Sequence, residues 1–189
     1  MKNFNIIITG VGGQGLITLI SVINQAAFIE GKDVRSSELH GLSQREGSVE
    51  THVKFGKKVY SPLVYRGQAD LIMGLEILEG LRAVNRVGSQ TKFLVNNYFL
   101  PFEDSPRKEK VLDDLKKNLG KNLFLVNASE ICQQNLQNEV VSGIYLLGYG
   151  ISKKLIPLKK ESVLKVIKEV MPQKYWDLNI KAFNLAYDN

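Results

Sequence analysis

The 189 residues include one cysteine, Cys132, two histidines, His40 and His52, and one tryptophan. A lone cysteine excludes an intramolecular disulfide and any cysteine-held iron–sulfur cluster. One Cys with two His also falls short of a structural zinc set, so no metal site held by this chain alone is expected. Long apolar runs are missing as well: nothing approaches the ~18 residues of a membrane span, and one Lys followed by a short apolar run does not make a cleavable leader. The chain therefore reads as soluble and cytoplasmic. Internal repeats, low-complexity tracts and linkers are absent, which leaves a single domain over residues 1–189, long enough to bury a sizeable core. The net charge of +6 is spread over both halves of the chain. A diffuse excess of this kind describes a solvated surface rather than a nucleic-acid face.

What the sequence does contain is an alternation of short apolar runs and helical patterns. Phe4 to Thr9 reads as a strand buried on both faces, and Leu16 to Glu30 carries helical spacing that Gly31 ends. Between them lies Gly10-Val11-Gly12-Gly13-Gln14-Gly15. A second strand, Asp33 to Glu38, empties into the most polar stretch of the chain, Leu39 to Ser48. Residues 48–55 then alternate, with Val49, Thr51, Val53 and Phe55 on one face and Glu50, His52 and Lys54 on the other, as a half-exposed antiparallel strand would. With the turn at Gly56-Lys57-Lys58 and the run Val59-Tyr60-Ser61 before Pro62, residues 48–62 suggest a hairpin.

Further strands are expected at Ala69 to Leu75, Thr91 to Asn96 and Asn122 to Asn127. Helices are expected at Ile77 to Arg86, Arg107 to Leu119, Glu139 to Leu155, Leu158 to Val170 and Lys174 to Tyr187. Gly143, Gly148 and Gly150 would weaken the helix that holds them, by about 1 kcal/mol each relative to Ala, so close backbone packing is expected there. The fold class that follows is α/β: a Rossmann-like open, mainly parallel sheet with helices on both faces and a β-hairpin insertion. Ligands of such sheets sit beyond the carboxyl ends of the strands. That rule gathers the glycine loop, the stretch from His40 to Ser48, Glu76 and Asn96 on one rim.

Gly10, Gly12 and Gly15 have the G-x-G-x-x-G spacing between a strand and a helix. Glycines allow a tight turn and close backbone approach, and the N–H groups and dipole of the helix start favour an anion. Two readings stand side by side, an anionic or nucleotide-like ligand and a structural tight turn. A dinucleotide site also requires an acid about 20 residues further on to hold a ribose, a place Glu38 can fill. His40 is a candidate general acid or base with Glu38 to orient it, and Arg45 a candidate anion contact; the alternative is a loop tied by its own hydrogen bonds. Cys132 has no His near it in sequence and reads as packing.

The residues together resemble a known family. The glycine loop, the run Ser37-Glu38-Leu39-His40-Gly41-Leu42-Ser43-Gln44-Arg45-Glu46-Gly47-Ser48-Val49, then Tyr60-Ser61-Pro62 and Ala69-Asp70, are similar to the gamma-type domain of 2-oxoacid:acceptor (ferredoxin) oxidoreductases, most nearly to the small, beta subunit of the indolepyruvate type. The likeness spans nearly the whole chain. Glu46 departs from it, standing where the family typically has a second glycine.

The resemblance implies an enzyme that decarboxylates a 2-oxoacid oxidatively with thiamine diphosphate and Mg, passes electrons through iron–sulfur clusters to ferredoxin, and yields an acyl-CoA. With neither cluster cysteines nor a thiamine motif here, those cofactors are expected on a larger partner subunit. This chain would close the site or contact coenzyme A and would be inactive alone. The residues expected to contribute are Gly10, Gly12, Gly13, Gln14, Gly15, Glu38, His40, Ser43, Gln44, Arg45, Gly47, Ser48, Glu76 and Asn96. Two rivals remain at this point: a stand-alone NAD(P)-binding reductase with Glu38 on the ribose, and a non-catalytic ligand-binding or scaffold module.

Overall fold

Ile6, Ile7 and Ile8 are fully buried, which only a strand covered on both faces permits. They lie in β1 (Phe4–Val11), near the middle of a six-stranded sheet. The computed structural model of the chain describes residues 3–40 and 47–187, the side chains of Leu39 and His40 excepted. After β1 come α1 (Leu16–Ile29), β2 (Asp33–His40), β3 (Ser48–Gly56), β4 (Leu71–Gly74), α2 (Ile77–Arg82), β5 (Lys92–Asn96), α3 (Lys108–Leu119), β6 (Leu123–Val126), α4 (Ala128–Leu136), α5 (Ser142–Ser152), α6 (Lys160–Val170) and α7 (Trp176–Tyr187).

The strand order is β2-β3-β1-β4-β5-β6. Strands β1, β4, β5 and β6 run parallel, while β3 lies antiparallel to both β1 and β2. β2 therefore points the same way as β1, one strand removed from it. One face of the sheet presents Ile6, Ile8, Val53 and Phe55 to α1, α5, α6 and α7. The other presents Ile7, Ile72, Phe93 and Val95 to α2 and α3. The expected architecture is thus the observed one: α/β, mainly parallel, with helices on both faces.

The hairpin is placed differently from the sequence expectation. It is formed by β2 and β3, whereas Val59-Tyr60-Ser61 forms no strand. The Val59 N–H is held by Asp33 Oδ2 at 2.8 Å and Pro62 has no N–H to give, so this segment has little left for a ladder. It runs instead across the face of β3 that was expected to meet solvent. His52 is consequently only 2% exposed, accepting the Val64 N–H on Nδ1 at 3.1 Å. The ring proton then sits on Nε2, 2.8 Å from Glu50 Oε1. That bond, with the Arg86 guanidinium 3.0 Å from the same oxygen, holds the Glu50 carboxyl below its usual range despite partial burial.

Helix boundaries also differ. Residues 83–86 and 139–141 are 3-10 turns that lead out of α2 and into α5. The α4 segment, absent from the sequence reading, escapes it because only Ala128, Ser129 and Cys132 are buried in a run otherwise rich in Glu, Gln and Asn. The close packing expected at α5 is present at two of its three glycines. A Cβ on Gly148 would stand 2.5 Å from the Phe183 carbonyl oxygen of α7, and one on Gly150 would stand 2.8 Å from Ile156 Cδ1, whereas Gly143 meets only ordinary contacts.

Candidate functional site at the carboxyl-end rim

Strand register fixes the rim. Val11 pairs with Ser48, His40 with Val49, Thr9 with Gly74, and Gly74 with Val95. The glycine loop, the two ends of the polar stretch, Glu76 and Asn96 therefore share one edge of the sheet, as the carboxyl-end rule expects.

Within the loop, Gly13 and Gly15 have φ of 97° and 76°, a left-handed backbone that side-chain-bearing residues adopt at a cost. Gln14 turns its Oε1 inward to accept the Val11 N–H at 2.8 Å. That oxygen occupies the space a Cβ on Gly10 would need, at 2.7 Å, with Leu75 Cβ at 3.2 Å beyond it. The Gly12 N–H is taken by the Gly47 carbonyl at 3.0 Å. α1 then opens on Gly15 with no side-chain cap and no acid in its first turn. The N–H groups that a helix start leaves without internal partners are therefore available to an acceptor from outside, and the dipole makes an anion the preferred one.

A cleft of about 370 Å³ lies against this helix start, bounded by Gly12, Gly13, Gly15 and Thr18 on one side and by Glu38 and Thr51 of β2 and β3 on the other. Thr51 is fully buried and its Oγ1 has no hydrogen-bond partner among the described residues. A buried hydroxyl left so costs about 1–3 kcal/mol. Thr51 was missed in sequence because its alternation with Val49 and Val53 assigned it to the core. Beyond Gln14 and Gly15 a second, mostly apolar cleft of about 430 Å³ runs between α1 and the C-terminal helices, past Val140, Met171 and Tyr175.

The remaining expected residues serve other ends. Asn96, 1% exposed, gives its Nδ2 to the Leu75 carbonyl at 3.2 Å and to Ser129 Oγ at 2.8 Å, and its Oδ1 accepts the Ser129 N–H. It braces β5 against β4 and α4. Glu76 caps α2, accepting the Glu79 N–H on Oε2 at 2.8 Å. Burial, with the Glu79 charge adding, pushes its carboxyl above the usual range against the lowering effect of the backbone N–H groups it accepts. Ser48 donates its hydroxyl to Glu79 Oε2. Glu79 and Arg82 were not singled out in sequence.

Ser43, Gln44 and Arg45 lie outside the described residues, as does the side chain of His40; the backbone of His40 closes β2. Cys132 is fully buried and burial pushes its thiol up to about 12, so it supplies neither a cluster ligand nor a nucleophile near neutral pH. No helix among the described residues is long and apolar enough to cross a membrane.

Comparison with known proteins agrees with this fold. A family model described as pyruvate ferredoxin/flavodoxin oxidoreductase matches residues 5–189. The indolepyruvate oxidoreductase subunit IorB of Thermococcus kodakarensis is 35% identical, over 98% of this chain and 95% of its own length. Among solved structures, the gamma subunit of a keto/oxoacid ferredoxin oxidoreductase from Geobacter sulfurreducens superposes with a TM-score of 0.73 at 21% identity, covering 98% of this chain and 96% of that one. The 2-oxoglutarate:ferredoxin oxidoreductase of Magnetococcus marinus, solved with 2-oxoglutarate, coenzyme A and succinyl-CoA, contains the same fold as 31% of its chain, with a TM-score of 0.74 at 14% identity.

Proposed function

The chain belongs to the pyruvate ferredoxin/flavodoxin oxidoreductase family, and from that premise we propose that it is the small subunit of an indolepyruvate-type 2-oxoacid:ferredoxin oxidoreductase that holds the anionic part of coenzyme A. The observation that carries the coenzyme A reading is the uncapped start of α1, facing a cleft with an unpartnered buried hydroxyl at Thr51. Phosphate oxygens complement both features, since backbone N–H groups and a hydroxyl are what phosphate accepts from. The indolepyruvate type rests on the names of relatives such as the Thermococcus subunit.

Thiamine diphosphate, Mg and the iron–sulfur clusters would be carried by a larger partner subunit, which would also deliver electrons to ferredoxin. The residues here do not fit a cluster, because the one cysteine is sealed in the core. Thiamine diphosphate supplies the electron sink for decarboxylation; this chain orients the acyl acceptor and keeps its phosphates fixed.

Co-expression with a large thiamine-dependent partner tests this. Dye reduction dependent on both a 2-oxoacid and coenzyme A should require the two chains together, and full activity of the isolated chain would sink the proposal. One observation favours a second reading: Glu38 borders the same cleft as the glycine loop, where an acid would hold the ribose of NAD(P). Titration calorimetry separates the two. Coenzyme A should bind the chain or its complex while NAD and NADP do not, and micromolar NAD(P) binding without coenzyme A binding would reverse the assignment.

A further inference from the structure

Four rim segments converge on a cavity of about 240 Å³: the end of β1 at Val11, the start of β3 at Ser48, the first turns of α2, and the loop Leu100-Pro101-Phe102. The side chain of Glu79, only 5% exposed, is the hub of this cavity. Its Oε2 accepts the Ser48 hydroxyl, and its Oε1 lies 2.5 Å from Arg82 Nη1. The Arg82 guanidinium sits 5.7 Å over the Phe102 ring.

Ser48 follows Gly47, whose carbonyl takes the Gly12 N–H. Two adjacent residues are thus anchored in different directions, one to the glycine loop and the other to α2. Ser48 is an exposed residue, so water was available to its hydroxyl, yet the hydroxyl reaches a buried carboxylate. A charged acceptor makes this a stronger bond than a neutral one.

We infer that Ser48, Glu79 and Arg82 form a positioning chain that fixes the return of the polar stretch against the glycine loop, with Glu79 as its pivot. The chain determines which N–H groups the loop presents. While Gly47 stays in place, Gly12 is occupied, and with the Gln14 N–H given to the Val11 carbonyl at 3.2 Å the donors left for the cleft are those of Gly13 and of the start of α1. Without the Ser48 side-chain anchor, Gly47 keeps, among the described residues, its bond to Gly12 and the ladder that begins at the Val11–Ser48 pair, and the turn at Gly12-Gly13 gains freedom. None of the three residues needs to touch the ligand for this. The structural half of the inference is independent of what the cleft holds; its kinetic half rests on the coenzyme A reading above.

The test compares Ser48→Ala, Glu79→Ala and Ser48→Thr in the full chain, by residue-resolved amide exchange and then by kinetics in the complex with the large subunit. Protection of the Gly12 amide should fall about tenfold in the two alanine variants, in line with loss of a charge-assisted hydrogen bond, and should return in Ser48→Thr. The amides of Ile6 to Ile8 should keep their protection. In the complex, KM for coenzyme A should rise severalfold, by a larger factor than kcat falls. Unchanged Gly12 protection in Ser48→Ala, a variant at an exposed position that leaves the core intact, overturns the inference, as does failure of Ser48→Thr to restore it. If Gly12 protection falls while KM stays put, the positioning chain stands and the coenzyme A reading of the loop is what fails.

Discussion

Two polar regions sit on the same rim and are built in opposite ways. Around Glu79, Arg82 and Ser48 each side chain answers another while Glu76 takes the Glu79 backbone N–H, and the cavity they enclose is braced from four sides. Around Gly13, Gly15 and Thr51 there is a helix start without a cap and a hydroxyl without a partner. Folding leaves few buried polar groups unanswered; among the described residues Thr51 Oγ1 is one of six such side-chain atoms and the one whose residue borders this cleft. The region with two carboxylates and a guanidinium is the brace, and the one made largely of backbone is where we propose the ligand docks.

The largest effect separating the two should come from Gly13→Asp. A Cβ at Gly13 meets nothing within 4 Å, so the variant should fold, losing about 1 kcal/mol to its left-handed backbone. Its carboxylate would face the anion that α1 favours, and like charges about 4 Å apart near a surface repel by up to ~4 kcal/mol. Coenzyme A binding by calorimetry should weaken about 100-fold, or ~2.7 kcal/mol. Unaltered affinity would place the ligand elsewhere on the rim.

How much of this was legible in the sequence follows the same division. The glycine loop, the strands and the shared rim were readable because local spacing controls them: buried apolar runs end where Gly10 begins, and parallel strands place their carboxyl ends together. The coverage of β3 was not readable. Glu50, His52 and Lys54 alternate as a solvated face should, and the return of residues 59–66 across the sheet, fixed by Asp33 on Val59 and by His52 on Val64, buries His52 and half-covers the other two. Asn96 and Gln14 were recognised as rim residues, but their amides turn into the protein, a choice set by neighbours such as Ser129 and Val11 that pattern does not reveal. Thr51 illustrates the converse, since a core-face position gives no sign that its hydroxyl is left without a partner.

On the braced side, Glu79→Ala should lower stability by about 2 kcal/mol in urea unfolding. Removing one member of a buried pair costs roughly 3–5 kcal/mol when the other is stranded. Here the Arg82 side chain is 49% exposed and its charge can turn to water, which reduces the penalty. A loss within experimental error would mean that the cluster holds nothing together.

The smallest effect is a matter of sign. Because burial raises the Glu76 carboxyl above its unfolded range, the folded state binds a proton more readily than the unfolded one. Stability that Glu76 allows at low pH must therefore decline as pH rises from the ordinary glutamate range through the raised folded value. Glu50 has the opposite sign: held low by His52 and Arg86, it supports the fold above the usual range and withdraws that support as pH falls through its lowered value. Glu76→Gln keeps an acceptor for the Glu79 N–H and removes the titration. Urea unfolding followed from pH 4 to pH 7 should show a flatter profile for this variant than for the parent, while Glu50→Gln should flatten the acid side instead. Parallel profiles for parent and Glu76→Gln would show that Glu76 titrates alike folded and unfolded, and the brace would then carry no strain from its two neighbouring carboxylates.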